Sequence, residues 1–257
     1  MSYKNAIKYI LIVFVFFSCE NIPRHNASLK VSAETLDTIK STAGKVVAIP
    51  EFFETAFIKG TTQPGKKATI NFYGITIGKI KIVRGHIIAC DPGHIDEYGI
   101  PFTQAFPNGE FAVQLSIANV EGVETIAFAR INFSDESVAR WEFALQKEQS
   151  PIAVGGTEMH GYSVDLGIGI FMDEEAAKAL DKSNLTDLDA DLYKQMDKHY
   201  HVDWKYTMYN FGTHNLAAFS SGLGDGRYAT YIGFDANGKP CRLVTDFGLW
   251  DWRKGKE

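Results

Sequence analysis

Cysteine is scarce in this chain, with three in 257 residues, and proline is sparse at eight. So few cysteines cannot build the bridge framework that staples small secreted folds, and stability must come from a packed interior. A long apolar run is missing at the N-terminus: Ile10 to Phe17 holds eight residues. As a helix that run reaches about 12 Å, against a hydrocarbon layer of about 30 Å, so it is too short to span a membrane. A basic balance is missing too. The formal charge is −5, with no basic stripe to replace phosphate counterions, and nucleic acid is excluded as an expected partner. Internal repeats and low-complexity tracts are absent.

What is present begins with the leader. Lys4 and Lys8 precede the apolar run, and Ser18-Cys19-Glu20 follows it. A positive flank, a short apolar core and a small residue before the cut describe a secretory signal peptide. The cysteine directly after Ser18 makes the segment resemble a bacterial lipoprotein signal, cut before Cys19 so that its thiol carries lipid such as palmitate. Phe16 and Phe17 depart from the commonest box of that kind, which resembles Leu-Ala-Gly-Cys. Ordinary secretion past an ordinary cysteine, or a retained segment, are the competing readings. The expected organisation is a signal peptide over 1–18, a lipid-anchored tether over 19–45 with a weakly helical stretch near Ala33 to Lys40, and one domain over 46–257. Cleavage leaves 239 residues, and losing Lys4 and Lys8 takes the charge from −5 to −7. The expected location is the bacterial cell envelope, at the outer membrane, with the membrane engaged through lipid on Cys19. The remaining Cys90 and Cys241 are expected as two thiols, with a single bridge as the alternative.

The domain is rich enough in apolar residues, at 45%, to bury a core. From Thr69 the hydrophobic period is two, the strand signature. Ile75 and Ile77, then Ile80 and Ile82, alternate with polar residues, and a short run covers His86 to Cys90. Phe111, Val113, Leu115 and Ile117 share one face. Residues 124–133 are apolar on both faces, as a central strand is. Trp141, Phe143 and Leu145 continue the pattern, and Val164, Leu166, Ile168 and Ile170 repeat it in one strand. Tyr228 to Phe234 and Cys241 to Phe247 flank an Asn237-Gly238 turn, a β-hairpin signal. Helices are expected from Asp173 to Leu180, and from a cap at Thr186 to about Tyr200 with Leu188, Leu192 and Met196 on one face. The expected fold is α+β, mainly antiparallel β-sheet, a sandwich or partly open barrel of eight to ten strands with two to four helices.

Several segments together resemble the DUF4241 family, bacterial proteins of unassigned function. They are Cys90-Asp91-Pro92, Pro101-Phe102 through Pro107-Asn108-Gly109, Arg140-Trp141-Glu142, Val164 to Gly167 with Phe171-Met172-Asp173, Ser220 to Tyr228, and Leu243 to Phe247. Gly93 and His94, Leu223 and Ile232 depart from the pattern. The resemblance implies a domain and supplies no reaction.

Candidate chemistry centres on two places. The loop Ser220 to Tyr228 concentrates Gly222, Gly224 and Gly226 with Ser220, Ser221 and Asp225. Such a loop can turn backbone N–H groups toward an anion, or be a structural turn tied by Asp225. Its spacing fits neither the Walker loop nor the dinucleotide fingerprint. Asp165 is expected on a strand face with Gly167 and Gly169, where it, Asp225 and Asp246 would converge as acid–base partners or as oxygen ligands for a hard cation. Acids pairing with Arg130, Arg140 or Arg227 are the plainer alternative. Ser221 is a nucleophile only if a histidine reaches it, and Gly-x-Ser-x-Gly is absent. His86, Cys90 and His94, or His199, His201 and Asp203, carry ligand types, but no metal is expected. No cofactor is named by the sequence.

The leading expectation is an envelope lipoprotein acting as a binding or interaction module, of an immunity-like kind, with a protein partner in the envelope. Tyr206, Tyr209, Phe211, Tyr228, Tyr231, Trp250 and Trp252 are its candidate contacts. One alternative is an envelope hydrolase using Asp165 and Asp225, with or without a divalent cation. A second is a structural envelope lipoprotein.

Overall fold

The chain from Val46 opens with strand β1 (Val46–Ala48) and a short helix α1 (Phe52–Thr55), then β2 (Thr61–Pro64), β3 (Thr69–Ile82) and β4 (Ile87–Cys90). Helix α2 (Ile95–Tyr98) precedes β5 (Gly109–Val120), β6 (Val123–Asn132), β7 (Arg140–Phe143), β8 (Tyr162–Val164) and β9 (Ile168–Asp173). Helices α3 (Glu174–Asp181) and α4 (Leu188–Met196) come next, followed by β10 (Tyr200–His201), β11 (Trp204–Phe211), β12 (His214–Ser220), β13 (Gly226–Phe234), β14 (Pro240–Asp246) and β15 (Arg253–Gly255). The computed structural model describes residues 46–48, 50–181 and 188–255. The leader, Cys19, the tether and the Thr186 cap lie outside the described residues.

Among the described residues all the strand pairing is antiparallel, in a curled half-barrel of eight strands, a second sheet of five, and a two-stranded β1–β15 ribbon. The large sheet runs β2-β3-β5-β6-β14-β13-β7, with β8 also on β13; the second runs β10-β11-β12-β9-β4. The expected antiparallel α+β class therefore holds, and the sheet architecture is a half-barrel against a second sheet.

Three apolar clusters explain the layering. Period-two strands bury one face between the sheets: Val113, Leu115, Ile117, Ile131 and Leu243 from the half-barrel meet Ala89, Phe171, Ala217 and Phe219 from the second sheet. The opposite face of the half-barrel presents Phe72, Phe128, Tyr231 and Val244, which Phe52 and Phe53 of α1 cover together with Trp250 and Trp252. The outer face of the second sheet, with Ile168, Ile170, Met172 and Leu216, is covered by Ala176 and Leu180 of α3 and by Leu188, Leu192 and Met196 of α4. Those last three are the predicted helix face. The apolar segment 124–133 falls on β6 (Val123–Asn132), flanked on both sides by β5 and β14, as expected of a central strand.

The phase slip between Ile77 and Ile80 has a local cause. One continuous strand, β3, carries both pairs, and its register against β5 shifts between Thr76 and Gly78. Gly78 sits at φ +150°, where a residue lacking Cβ is favoured, so a bulge resets the alternation. At residues 235–238 the hairpin forms as read: Asp235 Oδ1 accepts from the N–H groups of Asn237 and Lys239, at 2.8 and 2.9 Å. Cys90 and Cys241 are both buried free thiols.

A charged group pins α1 to the sheet. Glu54 accepts from Arg130 at 3.0 Å and from Arg242 at 3.0 Å, while the Arg130 guanidinium lies 3.9 Å over the Phe57 ring. Burial is the main cause that lowers the Arg130 pKa to about 10.

Candidate functional site

The segment around Asp165 is a turn, which corrects the single strand expected from Val164 to Ile170. Strand β8 ends at Val164 and β9 starts at Ile168, with every β9 residue buried. The cause is Asp91, 1% exposed, whose Oδ2 takes the N–H groups of Asp165 and Leu166 at 2.7 and 2.9 Å. Its Oδ1 takes Gly93 N–H at 2.7 Å. These bonds draw the backbone of 165–166 away from any sheet ladder. The alternation of Val164 and Leu166 with Ile168 and Ile170 therefore runs through a turn.

The glycine loop meets this turn backbone to backbone. Ser221 N–H donates to Gly167 O at 3.0 Å, and Gly226 pairs with Val164 as β13 begins. Gly222 has φ +57°, and a Cβ there would lie 2.7 Å from that of Phe247, so the loop needs glycine to close against the core. Gly224 O receives the Ser221 hydroxyl at 2.9 Å and the Tyr228 hydroxyl at 2.6 Å. Ser221 is thus buried with its proton engaged by the loop's own carbonyl.

The three predicted acids have different surroundings. Asp165 is mostly exposed, with Oδ2 3.4 Å from His94 Nε2. Asp225 is exposed at the end of the loop. Its charge adds to the larger effect of burial in raising the Tyr228 and Tyr193 hydroxyl pKa values. Asp246 belongs to the cluster beneath Trp252, accepting from Trp252 Nε1 at 2.7 Å and from Gly248 N–H at 2.8 Å. Desolvation raises its pKa despite those bonds. Among the aromatic candidates, Tyr228, Tyr231, Trp250 and Trp252 are buried, whereas Tyr206, Tyr209 and Phe211 are half-buried. Among the described residues no three His, Cys, Asp or Glu side chains assemble as a metal set.

A cleft that none of these expectations named lies between two hairpin tips. The β5–β6 turn supplies Gly122 and Glu124, and the β10–β11 turn supplies His201, Val202, Asp203 and Trp204 around a cavity of about 390 Å³. Tyr200 also lines it. Cross-strand pairing sets His201 opposite Trp204, and their rings stack at 3.8 Å, 8° from parallel. His199 stacks on Tyr206 at 4.9 Å, and the Trp204 and Tyr206 rings lie within 20° of parallel. This aromatic ladder stiffens the hairpin itself.

Glu124 is the joint. Its Oε1 accepts from the Tyr73 hydroxyl at 2.8 Å and from Asn119 Nδ2 at 3.2 Å, and its Oε2 accepts from Trp204 Nε1 at 3.4 Å. Burial alone pushes the carboxyl up, but these three donors and the field of His201 outweigh it, and the net pKa is lowered. Burial, then the bond to Glu124, pushes the Tyr73 phenol up to about 12. On the cavity lining Tyr200 and Val202 are exposed at 62% and 82%. Exposed apolar side chains gathered at one cleft mark a contact surface more often than scattered ones do. The sequence signal for Glu124 was slight: an acid opening an otherwise apolar strand.

Fold and site together define an antiparallel α+β domain whose buried acids secure its turns and whose cleft lies between hairpin tips. The chain belongs to the DUF4241 family, described as a protein of unknown function, whose model matches residues 80–245. No curated protein and no solved structure matches the chain.

Proposed function

We propose that the protein is an envelope lipoprotein, held to a membrane by lipid on Cys19, and that its domain is a binding module docking a partner protein at the hairpin-tip cleft. The observation that carries this reading is the pair Tyr200 and Val202, large side chains exposed on the lining of a cavity whose wall includes the stacked His201 and Trp204 rings. Rigid aromatic anchors beside apolar neighbours are the composition of interface hot spots. Anchoring is supported by the leader pattern, and lipid chains contribute about 0.8 kcal/mol per buried CH₂.

A photo-cross-linking residue at position 202 of the full chain, in living cells, tests the docking surface. The expected result is one discrete protein adduct, absent when the same residue replaces Leu223, itself 85% exposed on the glycine loop. Equal labelling at both positions, or none at 202, overturns it. A palmitate analogue should label the chain, and Cys19→Ala should abolish the label.

A further inference from the structure

Apart from the His201 ring N–H, the side-chain donors around the cleft are already engaged. Trp204 Nε1, the Tyr73 hydroxyl and Asn119 Nδ2 all point at Glu124. The Tyr200 hydroxyl donates to Val202 O at 2.7 Å, and Gly122 N–H donates to Asn119 Oδ1 at 3.1 Å. The lining also offers a ligand two carboxylates: that of Glu124, whose Oε2 atom accepts from Trp204 Nε1 at 3.4 Å, and that of Asp203. Among the described residues no lysine or arginine lines the cavity, and Lys205, next along the strand, bonds Asp197 at 2.8 Å. A sugar or an amide would bring acceptors that find few donors here. A group made only of donors, flat and positively charged, matches the lining, and the guanidinium carries five N–H donors and no acceptor. Its plane suits aromatic rings and its fork suits a carboxylate. An ammonium has neither the plane nor the fork.

We infer that the cleft receives an arginine side chain of a partner protein, its guanidinium bonded to Glu124 and Asp203 and its flanking apolar residues packed on Tyr200 and Val202. The inference rests on the docking surface proposed above. Charge complementarity and the exposed apolar rim select a protein as the source over a free small cation.

The test follows the indole N–H signal of Trp204 by NMR in the full chain in detergent micelles, with N-acetyl-arginine amide as the probe and N-acetyl-citrulline amide as its neutral isostere. The signal is assigned by its loss in Trp204→Phe. The expected result is a saturable shift with the arginine probe and at least tenfold weaker binding of the citrulline probe. Glu124→Gln should weaken the arginine probe at least tenfold. Because Glu124 also joins the two hairpins, Asp203→Asn at the exposed tip serves as a second variant, expected to weaken binding about threefold with the rest of the spectrum unchanged. Absence of a saturable shift, an equal response to citrulline, or indifference to both substitutions overturns the inference. If the adduct at position 202 forms but the arginine probe neither shifts Trp204 nor competes with the adduct, the docking surface stands and the guanidinium falls. If the probe binds but no adduct forms, the protein source is overturned.

Discussion

Two carboxylates in this molecule each accept a tryptophan N–H, and their titration is pushed in opposite directions. Asp246 lies in the cluster under α1, with Trp252 Nε1 at 2.7 Å, and burial raises its pKa. Glu124 lies at the hairpin-tip cleft, with Trp204 Nε1 at the longer 3.4 Å, and its pKa is lowered. The donor type is shared, so the difference comes from the surroundings. Around Asp246, desolvation exceeds what two hydrogen bonds return; around Glu124, partial solvent contact leaves less desolvation for three donors and a nearby imidazole to overcome. One acid secures the core at an electrostatic cost, and the other is kept ionised where a ligand can reach it.

The largest test of that contrast is Trp252→Phe, which keeps much of the ring packing but removes the donor from a buried acid. The expected loss is about 2–3 kcal/mol in urea unfolding at neutral pH. Trp204→Phe removes a longer bond from a wetter group, and about 1 kcal/mol is expected. Equal losses would break the comparison.

Acid sharpens it through sign. Asp246 binds its proton more tightly folded than unfolded, so it opposes folding above its folded pKa, and that opposition fades as pH falls through the raised value toward the unfolded one. Glu124 does the reverse: its stabilisation is full above the unfolded pKa and is lost as pH falls through the lowered folded value. From pH 7 to pH 3, wild type should therefore gain stability relative to Asp246→Asn and lose stability relative to Glu124→Gln. Urea midpoints across that range check both, and slopes of one sign would refute the assignment. The smallest effect expected is from Tyr73→Phe, which removes one donor from Glu124 and should raise its pKa, read from the side-chain carboxyl carbon by NMR.

Local features of this fold were legible and long-range ones were not. The face of Leu188, Leu192 and Met196, the hairpin closed at Asn237-Gly238, and the two-sided apolar strand β6 each follow from periodicity or turn chemistry within one segment. The Asp165 turn misled because Leu166 keeps the alternating pattern while Asp91, 75 residues earlier, captures its backbone. Asp165, Asp225 and Asp246 were grouped by residue type, and the neighbours that the fold gives Asp165 and Asp246, His94 and Trp252, carry no local sequence signal. Glu124 escaped notice because its partners Tyr73 and Trp204 lie 51 and 80 residues away. No window of sequence contains such a site.

The β1–β15 ribbon carries a consequence for anyone handling this protein. Val46 pairs with Gly255, so the polypeptide enters and leaves the domain at one seam. Joining residue 255 to residue 46 through a short flexible bridge, and reopening the circle at the exposed Asn237-Gly238 turn, should give a permuted chain that keeps every sheet intact. A fluorescent tag appended at the carboxyl end, conversely, would crowd the place where the segment carrying Cys19 joins the domain.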